Sequence, residues 1–557
     1  MKRILAILMI CLIAAAWLPS VSLAAAQPLL WISPTGEKTA DAIAWYPSGS
    51  DYYFFLPPTY SVTDARFGFS DITALLFDFS AAPLAQGDSA SFLRPGDYAV
   101  SVNGKSCVLH VMRGSPGIPA LYITTESGSL ANIHKSKKNK EAGQLIFVGP
   151  NGRIQYSGAL EYIKCRGNSS MTFVKKSYQI KLESSTSLMG MGKSKKWILT
   201  GNYRDKSLLR NQIAFDLARY IRLPYTPEHI SAELYINNEY QGVYFFSEKV
   251  MIDDDRVAIH DLEKETQALN TRTLSVYPMI GSKTSSRGRY KAYDIPNNPA
   301  DITGGYLVEF EKYPVRYQQE ASAYTTSNGA ILVIKSPEYA TKQQMLYVSS
   351  KLQAFENAIN SRTGVDSATK QHYSDIVDMD SLVKKYLLEE FCKNYDGNSS
   401  SQFFFKPKDE VSTKFFAGPA WDYDSTFGSY AQEHNAKNVL SGTGLWIATG
   451  SEKKLWWPAL YKQADFREQV VAVWHEEMAG AAEILLGIQP TPQNSPLRSL
   501  DEYSEAIRDS YEMNQIRWPR PAKPSSVANT GNTLDANIEY LKTFISDRYE
   551  YLNTKWE

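Results

Sequence analysis

Two acidic residues follow a run of strand-forming residues in the second half of the chain. Asp422 and Asp424 lie one residue apart in the segment 421–428, after the apolar run 413–417. In a strand, alternate side chains share a face, so both carboxylates would be presented together. Carboxylate oxygens are preferred ligands of hard cations such as Mg²⁺. The spacing therefore predicts a metal site, and an Asp-rich turn at the end of a strand is the structural alternative.

A second acidic segment precedes the first. Asp396 lies in a polar loop that follows a helical pattern ending near Cys392, and Gln402 comes six residues later. An aspartate that accepts a hydroxyl proton, an amide that helps to hold metal and a second aspartate that binds metal are the parts of a kinase site. The alternative is a turn closed by the side chain of Asp396 or Asn398.

Basic residues cluster earlier in the chain. Arg166 precedes the segment 175–182, and a lysine or arginine on a strand can neutralise nucleotide phosphates. Lysines are also frequent on the solvated face of edge strands. Periodicity leaves open which of Lys175, Lys176 and Lys181 points inward.

Two further carboxylates, Glu248 and Glu309, lie in apolar strand patterns. A buried charge requires a partner. A lysine, a metal or a nucleotide would each serve, and a plain structural ion pair is the alternative for both.

Seven segments between about Pro119 and Gly428 resemble, in this order, the CotH kinase family, named for the spore coat protein H of endospore formers. They are RGNSS at 166–170, KKSYQIKL at 175–182, KKWILTGNYRDKSLLRNQIAFDLA at 195–218, LYINNEYQGVYFFSEKV at 234–250, GGYLVEFEK at 304–312, NYDGNSSSQFFF at 394–405 and WDYDSTFG at 421–428.

The resemblance implies a reduced, atypical protein-kinase-like fold. It also implies transfer of phosphate from ATP to serine or threonine of exported or coat proteins, with Mg²⁺ or alternatively Mn²⁺. By resemblance, Asp396 is the catalytic aspartate, and Asp422 binds the metal with support from Asp424. Gln402 is expected at the metal too, although family members often carry Asn there, and this departure puts activity in question.

The resemblance also suggests residues for the nucleotide. Arg166 and Lys176 are expected at the phosphates, with Glu248 as the carboxylate partner of the lysine, and Phe416 is expected near the base. The alternative function is a catalytically weak pseudokinase that acts as a surface binding or adhesion protein.

The elements that position these residues predict an α+β protein. The Asn103-Gly104 hairpin signal indicates an N-terminal region of strands. The breaker cluster Gly114–Pro119 separates this region from a mixed one. The predicted regions are a signal peptide at 1–26, a β-sandwich-like module at 28–113, a kinase-like domain at 118–430 and a mostly helical region at 431–557 that packs on it. Within them we predict helices at 208–220, 337–360 and 379–392, a hairpin at 234–246 and a polar surface insertion at 264–300.

The N-terminus indicates export. A basic start, an apolar run at 4–17 and a small-residue exit at 20–26 are typical of a secretory signal peptide, and an uncleaved membrane anchor is the alternative. No later segment has the roughly 20 apolar residues that a membrane span requires. We therefore expect a secreted or cell-envelope protein without a transmembrane helix in its mature form.

Amino-acid composition limits the classes of binding partner that the chain can have. The 59 basic and 59 acidic residues balance, which argues against a nucleic-acid-binding protein. Nucleotide and protein partners are what the family resemblance implies. Without Cys11, the three cysteines Cys107, Cys165 and Cys392 cannot form a disulfide framework. We expect buried thiols, with a single Cys107–Cys165 pair as the alternative.

Overall fold

The computed structural model describes residues 28–430, 436–449, 456–519 and 531–557. The expected signal peptide lies outside these residues. The described chain divides into two compact units: the residues up to Phe54 with Ser61–Val111, and Phe55–Tyr60 with Met112–Glu557. Among the described residues, no helix has the length and apolar character needed to cross a bilayer, and the three described cysteines are free thiols.

The N-terminal strands form two antiparallel sheets, with orders β2-β1-β5 and β3-β4-β8-β7-β6. The strands are β1 (Leu29–Ser33), β2 (Ile43–Ala44), β3 (Tyr46–Ser48), β4 (Asp51–Leu56), β5 (Arg66–Ser70), β6 (Leu75–Phe77), β7 (Gly96–Val102) and β8 (Lys105–Arg113). The predicted hairpin is confirmed: Val102 pairs with Lys105, and Asn103 and Gly104 have positive φ, as a two-residue turn between strands requires.

Seven strands then close into a barrel of order β10-β11-β12-β13-β15-β14-β9. They are β9 (Ala120–Thr125), β10 (Glu141–Val148), β11 (Ile154–Arg166), β12 (Ser177–Thr186), β13 (Ser194–Thr200), β14 (His229–Ile236) and β15 (Glu239–Glu248). Neighbours are antiparallel except β14 and β9, whose parallel pairing closes the barrel. The predicted hairpin at 234–246 is confirmed, with Ile236 paired to Glu239 and both turn residues, Asn237 and Asn238, at positive φ.

Alternation along the barrel strands sorts apolar from charged side chains. On β13, Trp197 and Leu199 lie in the buried core, so Lys196 faces outward. On β11, Cys165 is in the same core, and Lys164 faces outward. The outer surface of the barrel is therefore basic where β11 and β13 lie.

A second, antiparallel sheet has the order β16-β17-β19-β20-β18-β21-β22. Its strands are β16 (Met279–Gly281), β17 (Tyr290–Tyr293), β18 (Tyr306–Glu311), β19 (Ser322–Thr325), β20 (Ile331–Ser336), β21 (Gln402–Lys406) and β22 (Phe416–Ala417). On β18, Val308 and Phe310 enter the main core, and the alternate residue Glu309 faces the other way.

The segment 264–300 differs from the expected surface insertion. It contributes β16 and β17 to the edge of the second sheet, where Lys291 pairs with Ala323. Ala292 is buried in the main core and Ile280 packs against it. The polar composition of the segment hides these two apolar positions, so the sequence pattern missed the strands.

Helices cover the second sheet and form most of the described C-terminal region. They are α1 (Ala131–Lys135), α2 (Arg210–Tyr220), α3 (Leu262–Ala268), α4 (Pro314–Gln319), α5 (Lys342–Asn360), α6 (Tyr373–Ile376), α7 (Met379–Cys392), α8 (Ala436–Val439), α9 (Trp456–Leu460), α10 (Ala464–Val473), α11 (Ala479–Leu485), α12 (Leu500–Arg517) and α13 (Leu534–Lys555). The three predicted helices correspond to α2, α5 and α7. Helix α5 begins five residues later than predicted, at the capping box of Thr341 and Gln344.

Helix α12 packs on the outside of the barrel. The Ser510 backbone N–H donates to Ser115 Oγ at 3.1 Å, and the Ser115 N–H donates to Ser510 Oγ at 2.8 Å. Farther along, Asn514 Oδ1 accepts from the Val243 N–H at 3.2 Å. This close approach explains Gly242, where a Cβ would lie 2.4 Å from Asn514 Oδ1.

The α12 contact encloses a carboxyl group. Glu233 has no exposed surface and accepts a hydrogen bond from Ser510 Oγ at 2.6 Å. Tyr235 Oη lies 2.9 Å from the Phe55 carbonyl oxygen and 3.2 Å from Glu233 Oε2. A phenol has one hydrogen, so both contacts are hydrogen bonds only when Glu233 carries a proton. Burial agrees, because it raises the pKa of Glu233 from 4.5 to about 7.

This carboxyl predicts a pH-dependent stability. Because its folded pKa is raised, the folded state binds more protons between pH 4.5 and about 7, and stability falls as pH rises through that window. At about 1.4 kcal/mol per pKa unit, the loss is on the order of 3 kcal/mol. We expect Glu233→Gln to lack this loss, so that its melting temperature relative to wild type rises from pH 5 to pH 8.

The matched control is Glu239→Gln, which removes an exposed carboxylate from the adjoining strand. It should track wild type at every pH. A difference between Glu233→Gln and wild type that does not change with pH would contradict a protonated Glu233.

Candidate functional site

A cleft of about 1460 Å³ lies between the outer face of the barrel and the second sheet. Lys164 and Lys196 line one wall from strands β11 and β13, and Leu307, Glu309 and Phe403 line the other from β18 and β21. Each of these residues faces the cleft because side chains alternate along a strand. Their neighbours in sequence point the other way, into the core of the barrel or the core under the second sheet.

Asp396, Asp422 and Asp424 meet in this cleft, as the sequence predicts. Asp396 begins a 3₁₀ turn shortly after α7. Asp422 has a left-handed backbone conformation, with φ of +67°, so the segment is a loop. The expectation of a strand that presents both carboxylates on one face is therefore wrong. Ser401 Oγ donates to Asp422 Oδ2 at 3.2 Å.

Tyr423 anchors the acidic loop, which is the segment 421–428 that carries Asp422 and Asp424. Its hydroxyl donates to Glu389 Oε1 at 2.6 Å, and Lys385 Nζ contacts both groups, at 2.9 Å from the hydroxyl and 2.6 Å from the carboxylate. The Tyr423 N–H donates to Asn211 Oδ1 of α2 at 2.8 Å. Since this residue is fully buried, its two acidic neighbours are directed to the cleft.

The three carboxylates share a poorly hydrated space. Burial, followed by the charge of Asp422, raises the pKa of Asp396 from 3.8 to about 6. Burial, Asp422 and Asp396 also raise the pKa of Asp424. Mutual repulsion of this kind indicates negative charge that a bound cation would compensate.

A cluster of cations lies beside the carboxylates. Burial and the charges of Lys196, Lys335, Lys164 and Arg166 lower the pKa of Lys249 to about 7. Twelve lysine and arginine residues line the cleft against eight aspartate and glutamate residues, although the whole chain carries no net charge. This local excess of positive charge suits a phosphate-bearing ligand.

Arg166, which the sequence analysis expects at the nucleotide, lines the same cleft. Its guanidinium lies over the Trp421 ring at 5.2 Å. Burial lowers the pKa of Arg166, and Asp422, Glu309 and Asp424 oppose that change. Arg166 therefore stands between the lysine cluster and the acidic loop.

Lys176 and Glu248 do not form the expected pair and do not line the cleft. Lys176 Nζ donates to the Met171 carbonyl oxygen at 2.7 Å. Glu248 forms a buried ion pair with Arg256 and accepts from the Glu228 N–H at 3.0 Å. The structural ion pair considered from the sequence is the correct reading for Glu248, and its neighbour Lys249 faces the cleft instead.

Gln402 and Phe416 also lie outside the cleft lining. Gln402 shares a strand face with Phe404, which enters the main core, whereas Phe403 faces the cleft. Gln402 Oε1 is buried without a hydrogen-bond partner among the described residues. Phe416 stacks on Phe405 with ring centroids 5.2 Å apart. It packs against the apolar residues that line the cleft and does not line the cleft itself.

The sequence interpretation did not assign Lys249, Lys196, Lys164, Lys335, Arg204 and Trp421 to the site. For the lysines of β11 and β13 a signal existed, because they alternate with apolar residues. Lys249 follows a strand that is apolar on both sides, so alternation does not reveal its direction.

The donor set fits Mg²⁺ held together with phosphate. In the described part of the chain, no group of three or more His, Cys, Asp or Glu side chains is close enough to hold a metal alone. Mg²⁺ in phosphoryl-transfer sites usually takes one or two carboxylates, substrate phosphates and water. Asp422 and Asp424 would supply two carboxylates, and the cations that line the same cleft would contact the phosphates.

Helix α13 anchors the loop that carries Asp396. Arg548 donates to the backbone oxygen and the carboxylate of Glu390, and both side chains are fully buried. Glu390 also accepts from the Trp446 N–H at 2.7 Å, and Trp446 Nε1 donates to the Asn394 carbonyl oxygen at 2.9 Å. The contact chain runs from the last helix to the residues before Asp396.

Comparison with known families gives a match. A family model described as CotH kinase protein matches residues 163–552, a range that contains the cleft residues from Lys164 onward and helix α13 up to Leu552. A search of curated proteins gives no significant match.

The Arg548–Glu390 pair predicts a large difference between two arginines of the C-terminal helices. Arg548→Met leaves a buried carboxylate uncompensated and should lower the free energy of unfolding by about 3–5 kcal/mol. Arg508→Met removes an exposed pair with Asp535 and should cost about 0–1 kcal/mol. Denaturant unfolding of both variants measures the difference, and equal losses would contradict the anchoring role of Arg548.

Proposed function

The chain belongs to the CotH kinase family, and from that premise we propose that it transfers the γ-phosphate of ATP to Ser or Thr hydroxyls of exported proteins. The observation that carries the proposal is the meeting of three aspartates and a lysine cluster in one cleft. Phosphoryl transfer requires this combination: cationic groups for the phosphates, and carboxylates for the metal and for the acceptor hydroxyl.

Each group has a task in this reaction. Lys249 and its neighbouring cations, with Arg166, bind the nucleotide phosphates. Asp422 and Asp424 hold Mg²⁺, which when bound neutralises charge on the β- and γ-phosphates. Asp396 orients the acceptor hydroxyl and takes its proton, a role for which a pKa raised to about 6 is closer to neutral pH than that of an ordinary aspartate.

The apolar part of the cleft suits the base. Val250, Ile252, Leu307 and Phe403 line it, and they belong to one cluster of packed side chains that includes Phe416. Small-ligand sites are concave and lined mainly by apolar side chains, with a few polar groups that fix the orientation of the ligand.

Export to the cell envelope or beyond remains part of the proposal. It rests on the basic start, the apolar run and the small-residue exit at the N-terminus. The acceptor is accordingly sought among extracytoplasmic or coat proteins.

One observation favours a second candidate, a catalytically weak pseudokinase that acts as a binding or adhesion protein. Gln402, the residue at the position where the family often has Asn, shares the core-facing side of β21 with Phe404. If the metal depends on an amide ligand there, the chain binds nucleotide without efficient transfer.

The first prediction from this proposal concerns the aspartates. Asp396→Asn and Asp422→Asn should each abolish transfer of label from radiolabelled ATP to the protein itself or to a Ser-rich peptide, because one loses the proton acceptor and the other a metal ligand. Neither should lower the melting temperature, since both changes relieve repulsion between carboxylates. Full activity in either variant would overturn its assigned role.

The second prediction concerns the phosphates. Lys249→Met should weaken ATP binding by about tenfold or more, because a charge-assisted hydrogen bond contributes roughly 1.5–3 kcal/mol. Lys176→Met is the matched control, since Lys176 lies outside the cleft lining, and its affinity should equal that of wild type. Nucleotide- and Mg²⁺-dependent thermal stabilisation measures both.

Three results separate the candidates. Binding with transfer supports the kinase, and binding without transfer supports the pseudokinase. Wild-type protein that binds no nucleotide would refute both.

A further inference from the structure

Arg204 lies between β13 and α2 and lines the cleft. Its guanidinium is placed between two aromatic rings, 5.1 Å from the centroid of Phe173 and 4.2 Å from that of Tyr430. Tyr430 in turn meets Tyr395, the residue before Asp396, with ring centroids 5.1 Å apart. The aromatic contacts hold the planar group in place through its faces and leave its N–H edge available.

The edge of this guanidinium has no acceptor among the residues that the structure describes. Within the described ranges, Arg204 forms no hydrogen bond and no ion pair. The buried arginines of the second unit behave differently: Arg210 pairs with Asp205, Arg256 with Glu248 and Arg548 with Glu390. A half-buried guanidinium with five unused donors is suited to an oxyanion from outside the protein.

The carboxylates of the acidic loop lie within electrostatic reach of Arg204. Its positive charge lowers the pKa of both Asp396 and Asp424, against the upward effect of burial. Arg204 forms an ion pair with neither. The guanidinium therefore lines the same cleft as the proposed proton acceptor and the proposed metal ligand, near enough for its charge to act on both.

We propose that Arg204 binds the phosphoryl group while it moves from the nucleotide to the hydroxyl, and this inference rests on the proposed function. In that step the acceptor oxygen forms a bond to the γ-phosphorus, and the bond from that phosphorus to the β,γ-bridging oxygen breaks. ADP leaves with the electron pair, and the hydroxyl proton passes to Asp396. Arg204 donates hydrogen bonds to the equatorial phosphoryl oxygens.

The charge on those oxygens is spread out most at the transition state, so the contact acts on rate more than on binding. Arginines that stabilise this charge contribute about 10³-fold or more to the rate. Arg204→Ala should therefore lower kcat by about that factor, with little change in the affinity for ADP, which has no γ-phosphate.

The experiment compares Arg204→Ala, Arg204→Lys and Arg272→Ala with wild type in the full chain. Arg272 also stacks on an aromatic ring, that of Tyr277 at 5.1 Å, but does not line the cleft, so its variant should keep wild-type kcat. Transfer from ATP to a Ser-rich peptide gives kcat and KM, calorimetry gives the affinities for ATP and ADP, and thermal unfolding monitors the fold.

Rescue of kcat in Arg204→Ala by added guanidinium ion distinguishes a role in the reaction from a purely structural role. The space between Phe173 and Tyr430 in Arg204→Ala should accept the free ion, and kcat should rise with its concentration at millimolar levels, below those that unfold proteins. Arg204→Lys should recover only part of the rate, because an ammonium lacks the planar fork of donors.

Several outcomes would overturn the inference. These are a kcat of Arg204→Ala within threefold of wild type, a defect confined to KM for the peptide, or an equal loss of ADP and ATP affinity. If wild type binds ATP but transfers nothing, the proposed kinase function fails, and Arg204 is judged by binding: weaker ATP binding with unchanged ADP binding supports the contact, and no difference refutes it. If wild type binds no nucleotide, both proposals fail.

Discussion

The acidic loop depends on a buried ion pair, Lys385 with Glu389, and on the tyrosine that joins it. Both charged side chains have almost no exposed surface, and removal of two charges from water costs several kcal/mol per ion unless other groups compensate. Tyr423 provides that compensation through its hydroxyl. The ion pair thereby holds Tyr423, the residue between Asp422 and Asp424, in the core. The side chains of these two aspartates must therefore point away from the core.

Side-chain alternation along the strands explains why the cleft is so highly charged in a chain without net charge. Both of its walls are sheet faces, and on each strand the apolar residues fill a core while the residues between them face the cleft. Lys196 on β13 and Glu309 on β18 reach the cleft in this way. The segregation of charge therefore follows from strand register, and one-residue slippage would exchange the charged row for an apolar one.

Sequence patterns identify much of this arrangement. The two Asn-rich turns, the helices α2 and α7 and the helical C-terminal region follow from local chemistry, namely turn residues with positive φ and apolar residues at helical spacing. Asp396, Asp422, Asp424 and Arg166 follow from the family resemblance. The match over residues 163–552 supports that resemblance, and the structure brings these four residues together.

The errors have a common physical origin, because local sequence does not give the direction of a side chain in a strand that is apolar on both sides. Glu248 and Lys249 are adjacent, and only the position of Arg256 decides that the glutamate turns away. Gln402 and Phe403 present the same ambiguity. Arg204 lies outside any regular element, so its aromatic neighbours Phe173 and Tyr430, 31 and 226 positions away, become evident only in three dimensions.

The Arg548–Glu390 contact also determines when the site can exist. The two residues are 158 positions apart, and a ribosome makes Glu390 and Asp396 long before it makes Arg548. During that interval the Glu390 carboxylate has no guanidinium, and the segment around Trp446 lacks its anchor. We therefore expect the loop before Asp396 to gain its anchor only after synthesis has passed α13, so that a nascent or C-terminally truncated chain carries every proposed catalytic residue but lacks this support of the site.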